Sequence, residues 1–392
     1  RVGDVDCETV KDAHFARVRH AFRVADDFLD GTLDFGKLGG GGGKGGDLMT
    51  RTFDSRFFVK QLNGGDAASL LHDEFLDAYV TLVCKGSSLL CRVVAVFKHP
   101  LYGQFLAMAN CMPTHITSWS GLYDLKGSAD DKVMVLDGER VPEVHKRCWN
   151  VGWMLSEATG CMKGVPLNRQ RYLAGKKEAY KVPIYVTKAQ KQELMAAIKE
   201  DLALFERFGL MDYSMMVGVH RPAPGQAAAE LAEHNAAALC SKPYAATHAG
   251  DTTIVYFGII DFLQAWTGGK KCAHVIKACC APPPISTVAP PQYARQFHDF
   301  FLFKLRGVAH PLPPAYLEFD PSIGGSKGLN AVVLASEVEH LKATVGWLQD
   351  KLGRTAARVE ELEERGGADG DHDYYNFEDA VSRQSSASGL SA

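Results

Sequence analysis

Three acidic residues stand at the borders of apolar segments that are typical of buried β-strands. Asp124 lies within residues 121–128 (Gly-Leu-Tyr-Asp-Leu-Lys-Gly-Ser), Asp212 precedes a Met-Met-Val segment, and Asp261 follows Ile-Ile. A carboxylate at the end of a buried strand is costly unless it is paired or binds a metal ion. Phosphoryl transfer uses two such acids, one near the nucleophile and one on magnesium. Each acid taken alone is better explained as a cap or turn residue, so their combination has to decide.

A glycine tract and a lysine downstream of it could hold the phosphates of a nucleotide. The tract matches the pattern G-x-G-x-x-G at Gly41, Gly43 and Gly46, although a flexible linker would match it too. A strand follows it, whereas a Rossmann turn requires a helix. A glycine loop between two strands, followed by a lysine on a strand, is how a kinase covers ATP phosphates. Lys60 ends the apolar strand segment 57–60 and is that lysine.

A second lysine lies beside the first acid. Asp124 and Lys126 are two positions apart in a predicted strand, so both point to one face of the sheet. Lys126 could neutralise a phosphate, and Gly127 would let that phosphate approach the backbone. A surface ion pair before a turn is the ordinary structural alternative.

These residues lie on elements that the hydrophobic pattern predicts. The first half reads as a strand-rich lobe with helical segments, and the second half opens near Asp124. Alternation and helical spacing predict the following elements: helices over 8–30, 66–83 and 188–208, a hairpin over 48–62, strands over 89–97 and 104–110, and a buried strand pair over 214–219 and 253–260. The fold class is therefore α+β, built on antiparallel sheets.

The remaining segments are less regular. Residues 221–252 are rich in Ala and Pro and are predicted to form an inserted loop, and the prolines of 279–292 argue against helix there. Residues 311–333 are a predicted linker. Residues 334–365 repeat apolar side chains at alternating spacings of three and four, which predicts a coiled coil or an amphipathic helix packed on its own domain. Residues 366–392 are acidic and Ser-rich and are predicted to be disordered.

Composition restricts the function classes. The formal net charge of -3 gives no global basic field, which argues against a nucleic-acid partner. The 10 cysteines form no C-x-x-C pair, which indicates free thiols in a reducing compartment and no structural zinc. No apolar segment approaches the roughly 18 residues of a membrane span. We therefore expect a cytoplasmic protein that reaches membranes only peripherally.

The order of these motifs resembles the phosphatidylinositol phosphate kinase family over roughly residues 10–305. The matching segments are, in order, the glycine tract with Lys60, residues 124–128 (Asp-Leu-Lys-Gly-Ser), 211–214 (Met-Asp-Tyr-Ser) and 258–264 (Gly-Ile-Ile-Asp-Phe-Leu-Gln). The resemblance implies a two-lobed kinase-like fold, with an ATP-binding lobe over 1–120 and a catalytic lobe over 121–310. It also implies ATP and Mg²⁺ as cofactors, and a monophosphorylated phosphoinositide as the substrate. The product would be a bisphosphate such as phosphatidylinositol 4,5-bisphosphate.

The resemblance also implies roles for single residues. The glycines of the tract and Lys60 would bind ATP phosphates, and Met108 and Asn110 would lie at the adenine hinge. Lys126 and Asp124 would act at the phosphate in the catalytic site, Asp212 would be the catalytic acid/base, and Asp261 would hold magnesium. Asp130-Asp131-Lys132 replaces the arginine that the family usually has after its Asp-Leu-Lys-Gly-Ser segment.

Residues 266–292 would be the activation loop, which in this family selects the lipid and touches the membrane. Its basic side chains, Lys270, Lys271 and Lys277, are expected to contact an anionic membrane surface. Residues 285–288 (Ile-Ser-Thr-Val) are more similar to the 4-kinase branch than to the 5-kinase branch.

Four other functions fit parts of the sequence. Inositol polyphosphate kinases share an Asp-x-Lys-x-Gly motif, and residues 87–90 (Ser-Ser-Leu-Leu) mimic their serine motif, but in the reverse order along the chain. Protein kinases would need His-Arg-Asp and Asp-Phe-Gly, which are absent from the sequence. Residues 324–328 match the hydrolase pattern G-x-S-x-G without a plausible triad. A pseudokinase scaffold that dimerises through 334–365 is the alternative from a different class.

Overall fold

The computed structural model describes most of the first 308 residues, and every described residue belongs to the first of two units, Arg1–Leu317. The described ranges are 1–40, 48–128, 131–141, 183–223, 242–248, 251–280 (side chains to 274) and 285–308, with positions 167, 170, 179 and 239. The second unit, Glu318–Ala392, contains the predicted coiled coil and tail. These segments, the glycines Gly41, Gly43 and Gly46, and most of the 221–252 insert lie outside the described residues.

The first half of the chain forms a six-stranded antiparallel sheet. Its strands are β1 Glu8–Thr9, β2 Gly39–Gly40, β3 Leu48–Arg51, β4 Phe57–Gln61, β5 Val93–His99 and β6 Gly103–Ala109. They lie side by side in the order β1-β5-β6-β4-β3-β2. The predicted hairpin over 48–62 is confirmed, with Met49 opposite Lys60. Phe57 and Val59 face the core, while Lys60 is half-buried on the opposite face, so the alternation places its amine outside the core.

Helices α1 Asp12–Ala21, α2 Gly64–Leu70 and α3 Asp73–Cys84 belong to the same half. The prediction of a helix over 8–30 was too long, because Lys11 and Arg23 have positive φ angles of 53° and 54° that end it on both sides. The single helix predicted over 66–83 is two helices. Asn63 caps α2 by accepting a hydrogen bond from the Asp66 amide, and α3 starts anew with two acids in its first turn.

The second half is built on another six-stranded antiparallel sheet. Its strands are β7 Gly121–Leu125, β8 Lys132–Leu136, β9 Glu139–Arg140, β11 Ser214–His220, β12 Tyr244–His248 and β13 Asp251–Ile260. They lie side by side in the order β12-β13-β11-β7-β8-β9. The predicted pairing of 214–219 with 253–260 is confirmed, with Met215 opposite Ile259. The prediction of a loop throughout 221–252 was wrong at its end, since β12 pairs with β13 there. Strands β10 Ile184–Thr187 and β14 Leu305–Val308 form a separate parallel pair.

This sheet is accompanied by helices α4 Lys188–Arg207, α5 Gly268–Cys280 and α6 Pro290–Lys304. The helix predicted over 188–208 is confirmed and starts with a capping box between Thr187 and Gln190. The expectation that 279–292 excludes helix was wrong at both ends. Helix α5 runs to Cys280, and α6 begins at Pro290, where a missing backbone N–H costs nothing because the first turn has no intrahelical partner for it.

The two sheets share one hydrophobic core. The segment before β5 joins them, because Leu90 forms a parallel bridge to Ile259 of β13. This architecture agrees with the predicted α+β fold built on antiparallel sheets, while the division into two lobes stays a prediction. Among the helices of the described residues, none combines the length and the apolar character that a membrane crossing requires.

Candidate active site

A lysine and an aspartate from distant parts of the chain form the centre of the candidate site. The Lys126 amine, just beyond β7, donates hydrogen bonds to the Asp212 carboxylate at 2.7 Å and to the Asp212 carbonyl at 2.6 Å. The two side chains are 16% and 27% exposed, so the pair is shielded but open to a reactant. Antiparallel pairing of β7 with β11 brings these residues together, since Asp124 lies opposite Met216.

Asp212 and Asp261 both have backbone conformations that are rare outside glycine. Their φ angles are 66° and 56°. Such residues cost about 1–3 kcal/mol each and cluster at active sites, where the surrounding structure must hold them in place. The surrounding structure here is a bridge between Leu210 and Ala265, reinforced by a 2.9 Å hydrogen bond from the Met211 amide to the Gln264 carbonyl. The turns that carry the two acids are therefore fastened to each other.

The second charged pair crosses from the first sheet to the second. The Lys60 amine lies 3.5 Å from a carboxylate oxygen of Asp261, which follows the end of β13. The Lys60 side chain is 25% exposed and that of Asp261 is 52% exposed. Both groups are thus accessible to a nucleotide or a hydrated cation, whereas the Lys126–Asp212 pair lies deeper.

The electrostatics of the site depend on several carboxylates around Lys126. Burial by itself lowers the pKa of Lys126, but Asp212 and Asp124, with a smaller effect from Asp261, outweigh it and raise the pKa. Lys126 therefore stays charged. Asp124 has one oxygen 3.5 Å from the Lys132 amine, and its other carboxylate oxygen is buried without a hydrogen-bond partner among the described residues.

Asp131 is a residue of this site that the sequence reasoning missed. One of its carboxylate oxygens accepts hydrogen bonds from the Lys126 amide at 2.6 Å and the Ser128 amide at 3.3 Å. Burial raises its pKa to about 6, against the opposing effect of these backbone donors. From the sequence, Asp130-Asp131-Lys132 counted only as a departure from the family, because local pattern does not indicate that an aspartate bonds amides that precede it in the chain.

The packing of helix α6 against the Lys126 turn explains why residue 127 is a glycine. Its φ is 67°, and an added Cβ would lie 2.7 Å from the Phe300 Cβ of α6. The Gly127 carbonyl accepts a hydrogen bond from the Gln296 side chain at 3.0 Å. The expectation that Gly127 leaves room for a phosphate needs correction, because Phe300 occupies the side where a Cβ would be.

The predicted hinge residues lie at the end of β6. Met108 is within the strand, opposite Phe58 of β4. Asn110 shapes the turn that follows: its side chain donates to the Ser55 carbonyl at 3.1 Å and accepts from the Met112 amide at 3.0 Å. Its role toward adenine stays a prediction.

The predicted membrane-contacting lysines lie on a helix. The segment predicted as an activation loop starts with α5, where Lys270 is half-buried and Lys271 is exposed. Lys277 follows on the same helix, and its side chain lies outside the described residues. His274, between them, bonds the Thr287 carbonyl at 2.6 Å and so ties the helix to residues 285–288.

The structure thus brings together five of the predicted site residues: Lys60, Asp124, Lys126, Asp212 and Asp261. In the described part of the chain, no three His, Cys, Asp or Glu side chains converge as a preformed metal site.

Comparison with known proteins places this geometry in context. The family model described as phosphatidylinositol-4-phosphate 5-kinase matches residues 38–245 and 226–302, together more than half of the chain. A phosphatidylinositol 5-phosphate 4-kinase type-2 gamma of Danio rerio is 24% identical over 335 residues, which cover 73% of this chain and 74% of that protein.

Two further relatives carry other names at similar identity. A phosphatidylinositol 4-phosphate 5-kinase 1 of Arabidopsis thaliana is 24% identical over 66% of this chain. A 1-phosphatidylinositol 3-phosphate 5-kinase of Saccharomyces cerevisiae is 23% identical over 75% of it. The chain spans only 39% and 11% of the lengths of these two proteins. The names of these three relatives specify different phosphoinositides, and their identities to this chain are nearly equal. The comparisons therefore do not identify which lipid this chain prefers.

Proposed function

Because the chain belongs to the phosphatidylinositol phosphate kinase family, we propose that it transfers the γ-phosphate of ATP to the inositol ring of a monophosphorylated phosphoinositide. The observation that carries this proposal is the meeting of two Lys–Asp pairs, Lys126 with Asp212 and Lys60 with Asp261. Phosphoryl transfer depends on positioning and on neutralising spread negative charge, so it needs such groups around one point.

The two Lys–Asp pairs differ in exposure, and each is assigned a different role. The more exposed pair, Lys60 and Asp261, faces the nucleotide: the lysine would bind phosphate oxygens, and Asp261 would hold magnesium. A bound magnesium ion supplies charge neutralisation between the phosphates. Asp261 fits this role because its carboxylate is half-exposed and already faces the lysine.

The deeper pair acts at the acceptor. The Leu210–Ala265 bridge and the hydrogen bonds from Lys126 hold Asp212 in place, so its carboxylate can orient the attacking hydroxyl and accept its proton. Lys126 remains charged and would stabilise the transferring phosphoryl group. Asp124, whose buried oxygen has no hydrogen-bond partner in the ranges that the structure describes, would help to keep Lys126 charged.

The lipid would be reached at an anionic membrane surface on its cytosolic face. Helix α5 presents Lys270 and Lys271 close after Asp261 in the chain, and each lysine near such a surface contributes about 1 kcal/mol. The product would be a bisphosphate such as phosphatidylinositol 4,5-bisphosphate.

The test is an assay of the purified full chain with labelled ATP and vesicles of each monophosphoinositide. Asp212→Asn should lower the rate by about 10²–10⁴-fold, the typical loss of an acid/base group. It should fold normally, because the Asn oxygen and the backbone carbonyl still accept from Lys126. Asp251→Asn, at an exposed position at the start of β13, is the matched control and should be fully active.

Two outcomes would contradict the proposal. A parent protein that phosphorylates none of the lipids would favour the pseudokinase scaffold. An Asp212→Asn variant with near-parental turnover would refute the role of that residue.

A further inference from the structure

A buried aspartate outside the catalytic site connects helix α4 to the first sheet. Asp201 is fully buried, and its two carboxylate oxygens accept hydrogen bonds from the Ser88 hydroxyl and the Leu89 amide, each at 2.8 Å. We propose that Asp201 is a positioning residue that sets the distance between Lys60 and Asp261. This inference rests on the proposed kinase function.

A short series of backbone hydrogen bonds connects Asp201 to the site. The Leu89 carbonyl accepts a 2.7 Å hydrogen bond from the Ile259 amide, and the Cys91 amide donates a 2.9 Å bond to the Ile259 carbonyl. Ile259 lies on β13, two residues before Asp261, which directly follows the end of that strand. Asp201 therefore binds residues 88–89, and this segment in turn is hydrogen-bonded to the end of β13.

The same segment is also anchored in the first sheet. The Tyr79 hydroxyl on α3 donates to the Cys91 carbonyl at 2.7 Å and accepts from the Val93 amide at 2.8 Å. The Ala109 amide donates to the Arg92 carbonyl at 2.8 Å, next to the strand that pairs with β4. Residues 88–93 thus bond the sheet that carries Lys60 on one side and the strand that carries Asp261 on the other.

The presence of a carboxylate at this fully buried position requires an explanation. Its neighbours on the buried face of α4 are apolar, including Ala197, Ile198 and Leu202, and an apolar side chain would pack there without desolvating a charge. Burial raises the pKa of Asp201 to about 7. The two donors of the 88–89 segment explain an acceptor at this position, and they give a purpose to the Ser-Ser-Leu-Leu segment that the catalytic chemistry leaves unused.

Changes at Asp201 are expected to affect the Lys60–Asp261 pair more than the Lys126–Asp212 pair. Lys126 and Asp212 are brought together by the pairing of β7 with β11, whereas residues 88–91 bond β13 directly. Loosening this segment should disturb Lys60 relative to Asp261, and with it the use of magnesium and ATP, while the lipid KM stays unchanged.

The experiment compares three variants of the full chain. Asp201→Ala removes both acceptors and should raise the Mg²⁺ concentration for half-maximal activity several-fold, with kcat reduced by about 10-fold or more, as misplacement of a catalytic group does. Asp201→Asn should rescue both, because its amide oxygen still accepts from the Leu89 amide and its NH₂ can donate to the Ser88 hydroxyl. Leu194→Ala, also fully buried on α4, is the control for lost packing and should lower Tm without changing the Mg²⁺ dependence.

A structural role alone predicts a different result. If Asp201→Ala lowers Tm like Leu194→Ala and leaves the Mg²⁺ dependence unchanged, the proposal is wrong. Should Asp201→Ala fail to fold, Ser88→Ala removes a single donor and must still raise the Mg²⁺ requirement; an unchanged requirement overturns the proposal. If the parent phosphorylates no lipid, the proposed function fails, and Mg²⁺-dependent binding of ATP measured by calorimetry provides the same comparison among the variants.

Discussion

Replacing Gly127 by alanine tests how helix α6 supports the Lys126 turn. At a φ of 67°, any residue with a Cβ is strained, by about 1–2 kcal/mol. The new Cβ would also lie 2.7 Å from the Phe300 Cβ and 3.0 Å from its Cγ, an overlap of the kind that typically costs about 1–3 kcal/mol. We expect Gly127→Ala to lower the free energy of unfolding by about 2–5 kcal/mol.

Gly138, in the turn between β8 and β9, provides a matched control. Its φ is 83°, and nothing lies within 4 Å of an added Cβ. Gly138→Ala therefore carries the backbone strain alone, so denaturant unfolding of the two variants should differ by about 1–3 kcal/mol. Because Gly127 directly follows Lys126, Gly127→Ala should also lower kcat under conditions where it is folded, whereas Gly138→Ala should not.

Equal destabilisation by the two substitutions would refute the packing explanation. A folded Gly127→Ala variant with parental kcat would refute the coupling between the α6 contact and Lys126.

The remaining predictions concern metal, membrane, assembly and pH. Asp261→Asn should sharply raise the magnesium requirement, and an unchanged Mg²⁺ titration would exclude this residue as a ligand. Lys270→Glu with Lys271→Glu should reduce flotation with phosphatidylserine vesicles by at least about 30-fold and spare ATP hydrolysis in solution; parental binding that ignores salt would contradict an electrostatic anchor. Truncation to residues 1–330 should abolish self-association in sedimentation, and equal oligomeric states would refute the coiled coil. Burial raises the pKa of Asp201 from 3.8 to about 7, so the folded state favours the protonated carboxyl and this group makes the parent less stable as pH rises from about 4 to 7. Asp201→Asn should therefore gain stability over the parent across that range, by at most about 4 kcal/mol, and a pH-independent difference in denaturation would contradict the raised pKa.

Local pattern was sufficient for much of the fold. The hairpin around Lys60 and helix α4 were predictable because alternation, helical spacing and a capping box are properties of neighbouring residues. The types and order of the site residues were likewise visible along the chain. They were sufficient to indicate phosphoryl transfer before any residue could be placed against another.

Elements that depend on distant partners were not predictable in this way. Strand β12 is a strand because β13 lies beside it, and its two alanines within an Ala-rich insert weaken the local strand signal. The extent of α1 was decided by the left-handed residues Lys11 and Arg23, whose conformation carries no strong sequence signal.

The partners within the site were decided by the tertiary structure alone. The sequence placed Lys126 beside Asp124, yet its hydrogen bonds go to Asp212, 86 positions away. Asp201 appeared as one more polar residue of an amphipathic helix until its bonds to Ser88 and Leu89, 113 and 112 positions away, became visible. Contacts over such separations form only when both sheets have assembled, because each one requires closing a long loop that local preferences do not specify.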